Sequence, residues 1–141
     1  GAMGNLKWMR EAELKHGRIC MLATLGWILV DKGLRLPGFP EDITSLQAHD
    51  VTTKSGQMWL LFMLVAVFEA PMYIALPQMC LGETNREPGD YGFDPLGYKK
   101  SERYKNGFYS QAEIKNGRLA MLAFSGIVTV SALYQKPFPY F

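Results

Sequence analysis

The sequence predicts an all-α membrane protein with three transmembrane helices, and three observations lead there. Apolar segments of helical length run over about residues 8–30, 57–79 and 110–134. The first and third carry one motif twice, "AELKHGRICMLA" at 12–23 and "AEIKNGRLAMLA" at 112–123, identical at eight of twelve positions. Between the segments lie "DKGLRLPGFPED" and "LGETNREPGDYGFDPLGY", rich in Gly, Pro and Asp, where no strand-like alternation competes.

At 1.5 Å per residue each segment can cross a hydrocarbon core of roughly 30 Å, provided its polar head is tolerated near one interface. In the first the unbroken apolar run covers only residues 19–30, a length more typical of a buried soluble helix. The second is the stronger span: from 58 to 76 its only charge is Glu69, and it holds Trp59, Phe62 and Phe68. The third offers 119–134 without a charge. If all three cross, eleven of the fifteen Lys and Arg residues fall on the side of the N-terminus and second loop. That bias places the N-terminus in the cytoplasm-equivalent compartment. The aromatic tail "KPFPYF", with Phe138, Tyr140 and Phe141, suits the opposite interface.

The 141 residues make one domain, 1–141, and 48% hydrophobic with 20% charged residues fits a soluble domain or a small membrane protein alike. A net charge of +2, with the basic residues spread over loops and helix ends, argues against a nucleic-acid partner. Cys20 and Cys80 make no disulfide framework. No signal or transit peptide is recognisable, and the first four residues, "GAMG", read as an appended remnant or a trimmed end.

The repeat has a physical reading. Helices one and three run in the same direction, so the duplicated motif implies a pseudo-twofold axis along the membrane normal. Glu13 and Arg18 are five apart, outside the three or four spacing that makes side chains neighbours on one helix. Each is better placed to find a partner across the axis, Glu13 with Arg118 and Glu113 with Arg18. Unpaired, each charge would cost about 2.5 kcal/mol or more at membrane depth. Gly17 with Gly117, and Gly26 with Gly126, remove side chains where the backbones could approach. His16 and Asn116 share one motif position, and what imidazole and amide share is a neutral lone pair. Such a donor suits a metal that needs an axial ligand without added charge, as magnesium in a chlorin ring does. Glu13 and Glu113 could ligate too once an arginine neutralises them.

"ELKHGRICM" and "EIKNGRLAM" resemble the first and third transmembrane helices of the light-harvesting chlorophyll-binding superfamily, whose signature is E-x-x-[HN]-G-R-x-[AC]-M. "PGDYGFDPLGY" resembles the turn before that family's third helix, and the three motifs span nearly the whole chain. "REAELKHGR", "GFDPLGY" and "KPFPYF" look most like the antennae of algae with red-lineage plastids, such as diatoms, dinoflagellates, cryptophytes and red algae.

The resemblance implies that Glu13, His16, Glu113 and Asn116 ligate chlorophyll magnesium, with Arg18 and Arg118 in the crossed ion pairs. It implies the same role for Glu69 in "AVFEAPMY", and an unpaired buried glutamate there would otherwise be costly. Two xanthophyll carotenoids should cross in the grooves between helices one and three, one head group lying near Asp94, Pro95 and Leu96. Read from its residues, that turn is only a stop in which Pro95 restricts Asp94 to extended geometry. Two family glutamine ligands have no counterpart: Leu60, Leu61 and Phe62 stand where one is usual, with Gln57 a turn further off as the remaining extra candidate, and Val130 stands at the other.

Chlorophyll a, a second chlorophyll (chlorophyll c) and xanthophylls are the implied cofactors. The implied setting is the plastid thylakoid, with the N-terminus stromal and the C-terminus lumenal. Neighbouring antenna subunits, thylakoid lipids and a photosystem core, photosystem I, are the implied partners. No group is placed to move a proton or attack a bond, so the expectation is an antenna and no enzyme. Two rivals stand beside it. A photoprotective member of the superfamily would use the same ligands to dissipate energy. A di-iron carboxylate protein would use Glu13 and His16 as a Glu-x-x-His motif, but Asn116 breaks the second copy that site requires.

Overall fold

A computed structural model describes residues 2–35 and 37–140. Its long elements are α1 (Ala2–Asp31), α3 (Gln57–Leu81) and α5 (Phe108–Tyr134), joined by the shorter α2 (Ser45–Lys54) and α4 (Glu102–Lys105). Among the described residues there is no strand.

Helix α1 begins several residues before the expected start, because "MGNLKWMRE" contains no breaker strong enough to stop it. Gly4 also lets that first turn lie against α3, where an added Cβ would sit 2.6 Å from the Cys80 carbonyl oxygen. Helix α2 was not expected. Its ten residues start behind Thr44, whose backbone N–H donates to the Gln47 side chain at 3.5 Å, a weak half of a capping box. Helix α3 runs through Pro71 and Pro77 and ends on Gly82 in the left-handed region, φ 80°. A proline inside a helix leaves a carbonyl without its partner, a break that membrane helices accommodate.

Very little of the chain is inside it. Among the described residues Leu14, Met79 and Ile114 are the buried large apolar side chains, and every residue from 59 to 71 is exposed. The accessible surface is 10684 Å², against roughly 7,400 Å² for a folded globular chain of this mass. The surplus is apolar side chain, including Leu60 at 77% and Phe68 at 72% exposure. Water does not tolerate such a surface as a stable monomer; lipid and apolar ligands do. Two helices, α3 and α5, are long and apolar enough to cross a membrane. Helix α1, at 30 residues about 45 Å long, has the length, but its charged first half keeps it below that mark.

The closest packing is between α1 and α5. Gly17 lies against Gly117 so tightly that a Cβ on Gly17 would come within 2.9 Å of the opposing Cα. Leu14 and Ile114, one turn earlier, are both buried at the same seam. Gly26 and Gly126 do not continue it: a Cβ on either would meet nothing within 4 Å, so the helices have already diverged. Trp27 meets Phe124 edge-on at 6.0 Å in the space that opens.

Both ends of the seam are tied. At the far end Asp31 accepts the backbone N–H of Ser45 and of Phe138, each at 2.8 Å, fastening α2 and the C-terminal tail to α1. Tyr140 turns back onto α5, donating to the Ile127 carbonyl at 3.1 Å and sharing a 2.9 Å hydrogen bond with the buried Ser131. Phe141 lies outside the described residues. At the near end the loop of residues 82–97 is held by Glu11, described next.

Candidate functional site

The charged mouths of α1 and α5 meet around the glycine contact. Arg18 Nε donates to Glu113 Oε1 at 2.7 Å, and Arg118 Nε donates to Glu13 Oε1 at 2.6 Å. A five-residue spacing turns glutamate and arginine away from each other on their own helix, and only the glycine contact brings the opposite helix within reach. The two carboxylates differ in what remains. Glu13 has its other oxygen engaged by Arg10 at 2.8 Å, whereas Glu113 Oε2 has no hydrogen bond among the described residues.

His16 and Asn116 both face outward from the bundle. His16 Nδ1 lies 2.7 Å from the Ala12 carbonyl oxygen, and Asn116 Nδ2 donates to the Ala112 carbonyl at 2.8 Å. A carbonyl only accepts, so in neutral His16 the proton sits on Nδ1 and the Nε2 lone pair is free. Asn116 is fixed in the same sense, with Oδ1 left open. A backbone bond to one end of a side chain, orienting a donor at its other end, is how metal-ligating histidines are held. The donors fit the magnesium of a chlorin: neutral, oriented, and opening on an apolar surface.

Glu69 lies midway along α3 and is paired rather than isolated. Lys15 Nζ from α1 donates to its Oε2 at 2.5 Å, and Oε1 is free of hydrogen bonds among the described residues. Gln57, the first residue of α3, accepts from Ser55 Oγ at 3.2 Å and donates to the Gly38 carbonyl at 3.3 Å. Asp94 spends both carboxylate oxygens on the turn that follows, accepting the N–H groups of Tyr98 and Lys99 at 2.9 Å each. Leu96 and Phe93 beside it are exposed at 73% and 83%.

One cluster escaped the sequence reading. Glu11 is only 5% exposed; it pairs with Arg86 at 3.1 Å and accepts the Gly89 N–H at 2.5 Å. The guanidinium of Arg86 also touches the sulfur atoms of Met72 and Met79, joining α1, α3 and the loop. Arg18 donates to the Gly89 carbonyl at 2.8 Å and lies 5.2 Å from the Tyr91 ring centre. Gly89, φ 80°, is the residue this approach requires, since a Cβ would strike Leu14 at 2.5 Å. Burial, with the Glu11 carboxylate nearby, pushes the Tyr91 phenol up. Next door, the Lys99 ammonium and the Gly92 N–H hold Asp90 below the usual carboxylate range. The signal for Glu11 was available: it lies three residues before Leu14 and six before Gly17, on the inward face, where a charge requires a partner.

Among the described residues no three His, Cys, Asp or Glu side chains converge as a metal cluster would need, which removes the geometric basis for a di-iron site. Residues 2–132 match the family model described as Chlorophyll A-B binding protein. A fucoxanthin-chlorophyll a-c binding protein of Chattonella marina var. antiqua is 35% identical over 129 residues, covering 90% of this chain and 57% of that protein. A second protein of that name, from Isochrysis galbana, is 30% identical over 89% of this chain and 64% of its own length. Light-harvesting complex stress-related protein 1 of Chlamydomonas reinhardtii is 32% identical over 92% of this chain and 54% of its own. The chain therefore spans somewhat over half the length of these relatives.

Proposed function

The chain belongs to the chlorophyll A-B binding protein family, and from that premise we propose that it is a light-harvesting antenna subunit of the plastid thylakoid. In this reading α1, α3 and α5 all cross the membrane, α1 and α5 related by a pseudo-twofold axis along the normal. The N-terminus is stromal and the C-terminus lumenal, as the charge bias suggests. His16, Asn116, Glu69, Glu113 and Glu13 are the magnesium ligands, while Gln57, already bridging Ser55 and Gly38, is left out of the set. The observation that carries the proposal is the matched pair His16 and Asn116, each fixed to the carbonyl four residues before it with its free lone pair outward.

Bound chlorophylls a and c and xanthophylls would supply absorption and pass excitation by dipole coupling. The chain's part is to fix distance and orientation. The glycine seam sets the separation of His16 from Asn116. Arg18 and Arg118 neutralise the carboxylates so that these can ligate without leaving a net charge in lipid. Leu96 and Phe93 offer the apolar side of a xanthophyll head-group site beside Asp94 and Pro95. The proposed acceptor is a photosystem I core, reached directly or through neighbouring antenna subunits.

The similarity to a stress-related relative favours one second reading, a photoprotective member that dissipates energy. Fluorescence lifetime of the pigmented complex at neutral pH separates the two. The antenna reading expects a lifetime close to that of dilute chlorophyll in detergent, and a strongly shortened one would overturn it. Co-purification with photosystem I rather than photosystem II tests the acceptor.

A further inference from the structure

Three carboxylates are offered above as magnesium ligands, and each meets a cation from a different helix. Two of those cations are the arginines of the repeat. The third is Lys15, which has a twin in the repeat, Lys115, in different surroundings: Lys115 is exposed and has no ion pair among the described residues. Lys15 instead leans onto α3 and holds Glu69 at 2.5 Å. The two line an open groove of about 360 Å³ between α1 and α3, together with Ala66, Ala70, Tyr73 and Leu76. Ala66, one turn before Glu69 on α3, and Ala70, the next residue, add only methyl groups to the wall beside the carboxylate.

We propose that Lys15 is the positioning and charge-compensating residue for Glu69, occupying Oε2 so that Oε1 faces the groove as a single-oxygen ligand to the magnesium of a chlorophyll lying there. The inference rests on the antenna reading and extends it to a residue outside the ligand set. Its physical basis is the ammonium's compactness: a point charge binds one oxygen, whereas a guanidinium fork presented end-on can take both and leave none. An uncompensated charge in an apolar helix is costly, so a carboxylate ligand there requires a cation beside it.

Pigment per chain after refolding with chlorophyll and xanthophyll is the test, read together with the absorption difference spectrum. Lys15→Met should lose about one chlorophyll, with the loss confined to one spectral component, because a bare carboxylate is not tolerated there. Lys15→Met combined with Glu69→Gln should recover that chlorophyll, since a neutral amide oxygen needs no cation. Lys115→Met should change neither readout. Full pigment content in Lys15→Met would overturn the proposal, as would a double variant no better than the single one. If Lys15→Met yields no complex at all, the double variant alone decides by the same criterion. Glu69→Leu separates the two layers: if it retains every chlorophyll, the ligand assignment itself is wrong. If Glu69→Leu loses one chlorophyll and Lys15→Met loses none, only the role of Lys15 is wrong.

Discussion

Arg18 and Arg118 occupy the same position of a twelve-residue repeat, yet Arg18 is 31% exposed and meets Glu113, the Gly89 carbonyl and the Tyr91 ring, while Arg118 is 61% exposed and among the described residues pairs with Glu13 alone. Glu11, two residues before Glu13, is buried under Arg86; Gln111, at the matching place before Glu113, is exposed. Lys15 reaches Glu69 and Lys115 reaches none of the described carboxylates. The motif thus sets what the two copies share: the glycine contact, the crossed pairs and the outward lone pairs. The neighbours set the rest, because α3 and the loop of residues 82–97 lie against α1.

This asymmetry can be broken in order of expected effect. Glu11→Leu strands Arg86 and the Gly89 N–H in a buried site and should cost about 3 kcal/mol, at the low end for a broken buried pair, whereas Gln111→Leu should be nearly silent. Thermal unfolding of the pigmented complex, followed by visible circular dichroism, measures both. Arg18→Leu should cost about 2 kcal/mol and Arg118→Leu about half that, since Arg18 also holds the loop at Gly89 and Tyr91 and Glu13 keeps Arg10 when Arg118 is lost. Equal losses would mean that the loop contributes nothing to Arg18.

The glycines offer a contrast along the helix rather than between copies. Gly17→Ala forces backbones apart and should cost about 1–2 kcal/mol, while Gly26→Ala meets open space and should be neutral or slightly stabilising. The smallest effect concerns pH. Asp90 is held below its ordinary value, so its contribution is complete above the unfolded pKa of about 3.9 and fades as pH falls through the lowered value. Lys99 is raised, so its share is complete below about 10.4 and fades as pH rises through the raised value. Protection of the amides at residues 90–99, taken as exchange rates corrected for their intrinsic pH dependence, should therefore be flat from about pH 5 to 9 and fall in acid.

Different parts of this molecule were legible in the sequence to different degrees. The long helices were readable because α3 is apolar without relief and because the repeat marks α1 and α5 as equivalent. Residues spaced five apart with opposite charges could be reasoned toward partners on another helix, since their own helix denies them one. The ends were less legible: α2 hides in a polar stretch whose only signal is Thr44 with Gln47 three residues on. The inward position of Glu11 was readable from its spacing to Leu14 and Gly17, but its partner Arg86 and the Lys15 pair were out of view because they depend on which face of α1 helix α3 and the loop cover. Nothing in "AELK" and "AEIK" tells the surroundings of Lys15 from those of Lys115. Gly26 and Gly126 misled for the converse reason, a small residue permitting close approach without causing it.

The most direct test of the central claim, that one oriented lone pair per motif copy holds a chlorophyll, is pigment stoichiometry in His16→Leu and Asn116→Leu. Both substitutions are outward-facing, so folding should survive them. Each single variant should lose about one chlorophyll per chain and the double variant about two, since no other donor occupies the position. Unchanged stoichiometry in the double variant would contradict the account.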